Sequence, residues 1–180
     1  MSNWFTDGDL PEGLRDVFAR SSVSLTLADL SLEDSPLVGV NQKFCELSGY
    51  LPQDILGRNC RFLQPEGGAG PVRARMSAFL ETAGAGDGRF LVPNVTKRGE
   101  RFLNLLYMSK LSTRGQARYV LGSQFAFQDA TALDPDLYDR ALKEDLRQIN
   151  RLTDRHNLAL LGNYETLASS HSIIARSRIE

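Results

Sequence analysis

Three β-rich runs follow one another with only short turns between them: RFLVPNVT (residues 89–96), RFLNLLYMSKL (101–111) and RYVLGSQFAF (118–127). The intervening turns, KRGE and STRGQ, each carry a glycine where a tight reversal needs one. That pattern predicts two consecutive antiparallel hairpins. Upstream, SLTLAD (24–29) alternates like a half-buried strand, LEDSP reads as a turn, and LVGVN (37–41) reads as a second strand. Between these two groups the spacing becomes helical and broken, with Gly49, Pro52 and Gly57 as punctuation. PEGGAGP (65–71) and GAGDG (84–88) read as loops, and residues 72–82 as a helix with Met76, Phe79 and Leu80 on one side. Two strands, short helices, then three strands is an α+β order, not the alternation of a parallel sheet.

The two ends differ from this middle. Residues 11–19 place Leu14, Val17 and Phe18 at helical spacing behind a proline. Beyond Pro135 the chain is heavily charged and free of proline. Leu142, Leu146 and Ile149 form one apolar stripe; Leu160, Tyr164, Leu167 and Ile174 form another. The expected organisation is an N-terminal helical cap (1–22), a central domain (23–130) and a C-terminal helical extension (131–180) that packs on the sheet or on a second copy.

The chain has 180 residues and a formal net charge of −1, so no overall charge draws it to nucleic acid or to an anionic membrane. Its apolar runs fall far short of the roughly 20 residues that span a bilayer, and MSNWFTDGDL lacks the features of a signal peptide. The two cysteines, Cys45 and Cys60, make neither a disulfide framework nor a zinc knuckle. A cytoplasmic setting without a bound metal is the expectation.

One segment carries chemistry. GRNCRFLQ (57–64) is identical to the core signature of the LOV (light-oxygen-voltage) domains, a branch of the PAS superfamily. VNQKFCELSGYLPQDILG before it, and NVTKRGERFLNLL and YVLGSQ after it, also resemble that family, so the likeness covers roughly residues 24–127. The resemblance implies a PAS/LOV fold: a five-stranded antiparallel sheet with short helices on one face. It also implies a bound flavin mononucleotide (FMN), with FAD or riboflavin as alternatives, and a blue-light receptor without enzymatic activity.

The residue types fit that chemistry. Thiol sulfur is the most nucleophilic side-chain atom near neutral pH, and an excited flavin is electrophilic at its C4a carbon. Cys60 is the expected site of a reversible covalent adduct, while Cys45 is expected to pack. Arg61 matches the first phosphate-binding arginine of the family and Arg75 the second, with Arg73 two residues away. Asn94 and Asn104 match the two strand asparagines that read the flavin's pyrimidine edge, Asn59 and Gln64 lie in the motif, and amides suit an edge of alternating donors and acceptors. Gln124 matches the glutamine at flavin N5, whose amide can rotate when N5 gains a proton and so pass a signal to the sheet. Leu25, Leu27, Val38, Leu63, Phe79, Leu91, Leu106 and Phe125 are expected to wall the ring or fill the core. The sequence departs from common members at Pro93, whose missing N–H asks for an edge or a bulge, at Leu103 where tryptophan is frequent, and in its two glycine-rich loops.

Three other classes fit the residues less well. A flavin oxidoreductase lacks a nicotinamide fingerprint here. A haem-binding PAS module would need an axial ligand, and His156 and His171 lie in the tail. A pure interaction protein would rest on the C-terminal helices alone. The residues favour a light sensor acting through its terminal helices on a homodimer, with the downstream partner unspecified.

Overall fold

A computed structural model of the chain describes residues 4–6, 10, 12–83, 87–127 and 158–161. The five expected strands are β1 (Ser24–Asp29), β2 (Leu37–Val40), β3 (Asp87–Val95), β4 (Arg101–Thr113) and β5 (Gln116–Phe127). They form one antiparallel sheet in the order β2-β1-β5-β4-β3. Pro93 falls on β3, the outermost strand of that path, where a missing N–H can face away from the ladder. The β4–β5 turn is Arg114–Gly115, with φ of 52° and 81°; positive φ at both central residues matches the twist of a two-residue hairpin.

Among the described residues four helices flank the sheet: α1 (Glu12–Arg20), α2 (Gln42–Ser48), α3 (Pro52–Ile55) and α4 (Pro71–Glu81), with a 3₁₀ turn at Cys60–Leu63. Asn41 sets the start of α2. Its Oδ1 accepts from the N–H of Phe44 and from the N–H of Leu25, and its Nδ2 donates to the carbonyl of Val23. One buried side chain thus caps a helix and ties it to β1. Gly49, at φ 77°, closes the same helix.

SLTLAD was expected to bury one face, and instead almost all of it is buried. The reason is that both faces of the sheet are covered. On one side Leu25, Leu27, Leu121 and Leu111 meet Leu14, Val17 and Phe18 of α1, and each side chain so buried contributes about 2 kcal/mol. Thr26 and Ala28 face the other side, toward the helices and a cleft. The N-terminal segment completes the first layer. Val40 N–H donates to Trp4 O and Thr6 N–H to Val38 O, which lays residues 4–6 along the free edge of β2.

Residues 158–161 depart from expectation. Leu160 was placed in a helical stripe, yet Leu158–Leu161 is a strand, β6, paired antiparallel with Lys110–Thr113 of β4. The short apolar run LALL is compatible with either state, and an unfilled stretch of sheet edge offers it backbone partners. The other tail positions, including Leu142, Leu146, Ile149, Tyr164, Leu167, Ile174, His156 and His171, lie outside the described residues, as does the boundary at 130/131. Among the described residues no helix is long and apolar enough to cross a membrane.

Candidate functional site

Two adjoining hollows, of about 400 and 570 Å³, open between the inner face of the sheet and the 3₁₀ turn with α4. They share Asn59, Cys60, Met76, Leu106 and Gln124, and so form one cleft. The first hollow carries the polar lining side chains Asn59, Arg61, Gln64, Asn94, Asn104 and Gln124. The second is apolar, walled by Ala28, Leu30, Leu37, Leu80, Met108 and Val120. An occupant with one hydrogen-bonding end and one hydrophobic end fits that division.

Local structure explains how the turn presents its side chains. Asn59 accepts the N–H of Arg61 on its Oδ1 at 3.0 Å, capping the 3₁₀ turn, and donates from Nδ2 to the carbonyl of Asp34 at 2.6 Å. Cys60 is thereby fixed at the first position of the turn, half-buried, against the cleft. Burial pushes its thiol up to about 12 from the ordinary 9.0, so the sulfur carries its proton at neutral pH. Cys45, on α2, is pushed up to about 11 by burial and then by Glu46, and packs beside Phe44 and Ile55 in the core beneath β2.

On the sheet, Asn104 donates from Nδ2 to Asn94 Oδ1 at 3.0 Å, and Asn94 donates to Pro93 O at 3.0 Å. The Oδ1 of Asn104 is buried with no hydrogen-bond partner. A buried acceptor left unpaired costs on the order of 1–3 kcal/mol, and here it borders the cleft. A ligand N–H would satisfy it. Gln124 sits two strands across, its Oε1 accepting from Ser24 Oγ at 2.8 Å and its Nε2 donating to Thr26 Oγ1 at 3.0 Å.

The cleft therefore gathers Cys60, Asn59, Arg61, Gln64, Asn94, Asn104 and Gln124 from four separate stretches of chain. Arg75 is not among its lining residues; it is exposed on α4, one position before the lining Met76, and Arg73 is exposed as well. Of the apolar residues expected to wall the ring or fill the core, Leu63 and Leu106 line the cleft, whereas Leu25, Leu27 and Val38 fill the core on the opposite face and Phe79 packs on Phe90. Sequence reasoning passed over Ser24 and Thr26, the partners of Gln124, and Asp34, the partner of Arg61. The polar positions of SLTLAD were the available signal, since a strand covered on both faces turns its polar side toward something that needs it.

Comparison with known proteins bears on this arrangement. Residues 24–132 match the PAS-domain family. The Rhodobacter sphaeroides LOV protein superimposes with a TM-score of 0.75 at 31% identity, covering 92% of this chain and 94% of that one. The chain belongs to the LOV branch of the PAS-domain family. A blue-light-activated histidine kinase of Rhizobium johnstonii is 30% identical over 179 residues, which cover 88% of this chain and 50% of the kinase. Rice phototropin-1A is 28% identical over 166 residues, 83% of this chain and 17% of that protein. This LOV chain thus spans about half the length of the histidine kinase it matches. As a LOV domain it is of a flavin-binding type, and the cleft's donors, acceptors and apolar half accord with that class.

Proposed function

We propose that this LOV chain is a blue-light receptor that holds a flavin, FMN in the first instance, in the cleft and bonds it reversibly through Cys60. The observation that carries the reading is the placement of one protonated thiol on the same cleft as the orphaned acceptor of Asn104. A bound flavin supplies blue absorption and, once excited, an electrophilic ring carbon next to a basic nitrogen.

The chain's own groups do the rest. Asn104, Asn94 and Gln64 read the polar edge, and Arg61 offers the only guanidinium that borders the cleft among the described residues. Leu106, Val120, Met108 and Leu80 exclude water from the apolar half. Cys60 would supply both parts of such an addition, its sulfur to the ring carbon and its proton to the adjacent nitrogen, with the carbon–nitrogen double bond between them becoming single. Gln124 then exchanges an acceptor for a donor. Ser24 and Thr26, each able to donate or accept, keep the rotated amide satisfied in either orientation. The rotation reverses the direction of two hydrogen bonds into β1, with Thr26 turning its hydrogen from Gly122 O to the amide oxygen, and so links the cleft to the strand pair β1–β5. The output runs from the sheet to the terminal segments and to a second copy of the chain, and no catalytic role is assigned to this chain.

The test is the absorption spectrum before and after blue light, for the wild type and Cys60→Ala. Loss of the blue band to a single ultraviolet band in the wild type, with recovery in darkness and neither change in the variant, is the expected result. Identical behaviour of both proteins with flavin bound would overturn it.

A further inference from the structure

We infer that α4 is a lid on the cleft, hinged at its glycine-rich start and latched at its far end by Lys110, and that this latch sets how fast a flavin enters and leaves. This rests on the flavin reading above and adds to it the route by which the cofactor passes.

Three walls bound the cleft, and they are fastened unequally. The sheet is held by its ladder from β1 through β5 and β4 to β3. The 3₁₀ turn is held by Asn59, bonded to Asp34 O and to the N–H of Arg61, and by the core of Phe44, Ile55 and Leu63 behind Cys60. The third wall is α4, which brings Met76 and Leu80 to the cleft, yet of its 11 residues only Val72 is buried. A segment with so little buried surface opens at a smaller cost than its neighbours.

The start of α4 has what a hinge requires. Ala69 and Val72 are buried in one apolar cluster with Val92 and Met108 and form the pivot. Gly67, Gly68 and Gly70 around them hold φ of 90°, 84° and 68°, a region through which glycine moves without steric cost.

The other end is fastened by one cation. Lys110, on β4, is 1% exposed, and no carboxylate pairs with it among the described residues. Its Nζ donates to the carbonyl of Thr82, the C-cap of α4, and lies 4.8 Å over the Phe79 ring. Among the described residues this is the only hydrogen bond between the sheet and the helix or its cap. Carbonyls at a helix C-terminus and the face of an aromatic ring both carry partial negative charge, so both attract the ammonium. Phe79 in turn meets Phe90 edge-on, with ring centroids 5.8 Å apart. Gly88 makes room for that pair: a Cβ there would lie 2.4 Å from Phe90 and 3.3 Å from Phe79.

Static packing does not call for a lysine here, since an apolar side chain of similar length would avoid its desolvation. A latch does. When α4 lifts, the ammonium meets water and regains its hydration, so the contact is firm when closed and opens without stranding a charge. The latch uses no atom of the flavin, so opening it costs the same with the cleft empty or filled.

The experiment loads the full chain with FMN, adds an excess of an immobilised flavin-binding apoprotein as a trap in darkness, and follows the FMN left in solution. Mixing FMN with the flavin-free chain gives the rate of uptake. In Lys110→Met both rates should rise roughly 10-fold or more, the scale of a hydrogen bond from a charged donor, with Kd nearly unchanged and the blue band in place. Phe79→Leu, which removes the ring from the helix side of the latch, should act in the same direction and decides the matter if the Lys110 variant does not fold. Unchanged rates in a folded variant, or faster release with uptake unchanged, would overturn the inference while leaving the flavin reading intact. Failure of the wild type to bind FMN or riboflavin would instead overturn that reading, and this inference with it.

Discussion

At the scale of single residues, the thiol of Cys60 carries the sharpest expectation. Burial raises it from 9.0 to about 12, so the folded protein holds that proton more tightly than the unfolded chain does. The sign follows: the contribution is fully present below about pH 9 and is lost as pH rises toward 12, because the unfolded chain ionises first. In denaturant unfolding, wild type and Cys60→Ala should therefore keep a constant stability difference from pH 6 to about 9. By about pH 10 the wild type should have lost on the order of 1 kcal/mol relative to the variant. A difference that stays flat to pH 11 would mean that the thiol is not desolvated. On the proposed adduct chemistry, the same protonation should make bleaching by blue light independent of pH below 9, as absorption spectra recorded from pH 6 to 9 would test. The position of Cys60 was readable in GRNCRFLQ, as were its neighbours, because motif residues are adjacent in sequence. Ser24, Thr26 and Asp34 were not, since they meet Gln124 and Arg61 only through pairings between distant strands and turns.

At the scale of elements, the hairpins were legible because turn chemistry and alternation agree. KRGE and STRGQ specify their reversals locally, and α1 and α4 announce themselves by period and by proline at their starts. Alternation in β1 misled on burial, because a pattern of polar and apolar positions cannot tell solvent from a ligand cleft. Gly122 illustrates what the assembled sheet adds. A Cβ there would lie 2.6 Å from Thr26 Oγ1 and 3.2 Å from Gln124 Nε2. Both atoms belong to the hydrogen-bonded set across β1 and β5, so neither can yield cheaply. Gly122→Ala should cost about 1–3 kcal/mol, the scale of overpacking in a core. Thermal unfolding should show a matching fall in Tm, and the dark recovery rate should change because Gln124 is displaced. An unchanged Tm would imply that β1 and β5 separate freely at this point.

For the whole molecule, the question is how a change at Gln124 reaches the tail. Gln124 lies on β5, opposite Leu106 of β4, and β4 continues past the end of β3. Along that last stretch, Lys110–Thr113, its outer edge is taken by Leu158–Leu161. The tail is thus joined to the strand next to Gln124 by backbone hydrogen bonds, through a segment that sequence periodicity assigned to a helix. Lys110 marks the same junction from inside: it is buried, donates to the Thr82 carbonyl at the end of α4, and lies 4.8 Å over the Phe79 ring. Breaking β6 should uncouple tail from sensor without touching the cleft. Tandem prolines at Ala159 and Leu160 serve, since N–H groups of adjacent strand residues point to opposite sides and one of the two must face β4. Hydrogen exchange over residues 110–113 should then speed up while residues 101–109, held by β3, stay protected. If the tail carries the light signal to a second copy, wild-type elution in size-exclusion chromatography shifts between darkness and light. The proline variant should lose that shift while its blue band still bleaches and recovers. Identical dark and light elution of the wild type would sink the dimer reading, whereas a shift that survives the prolines would route the signal through residues 4–6 and α1 instead.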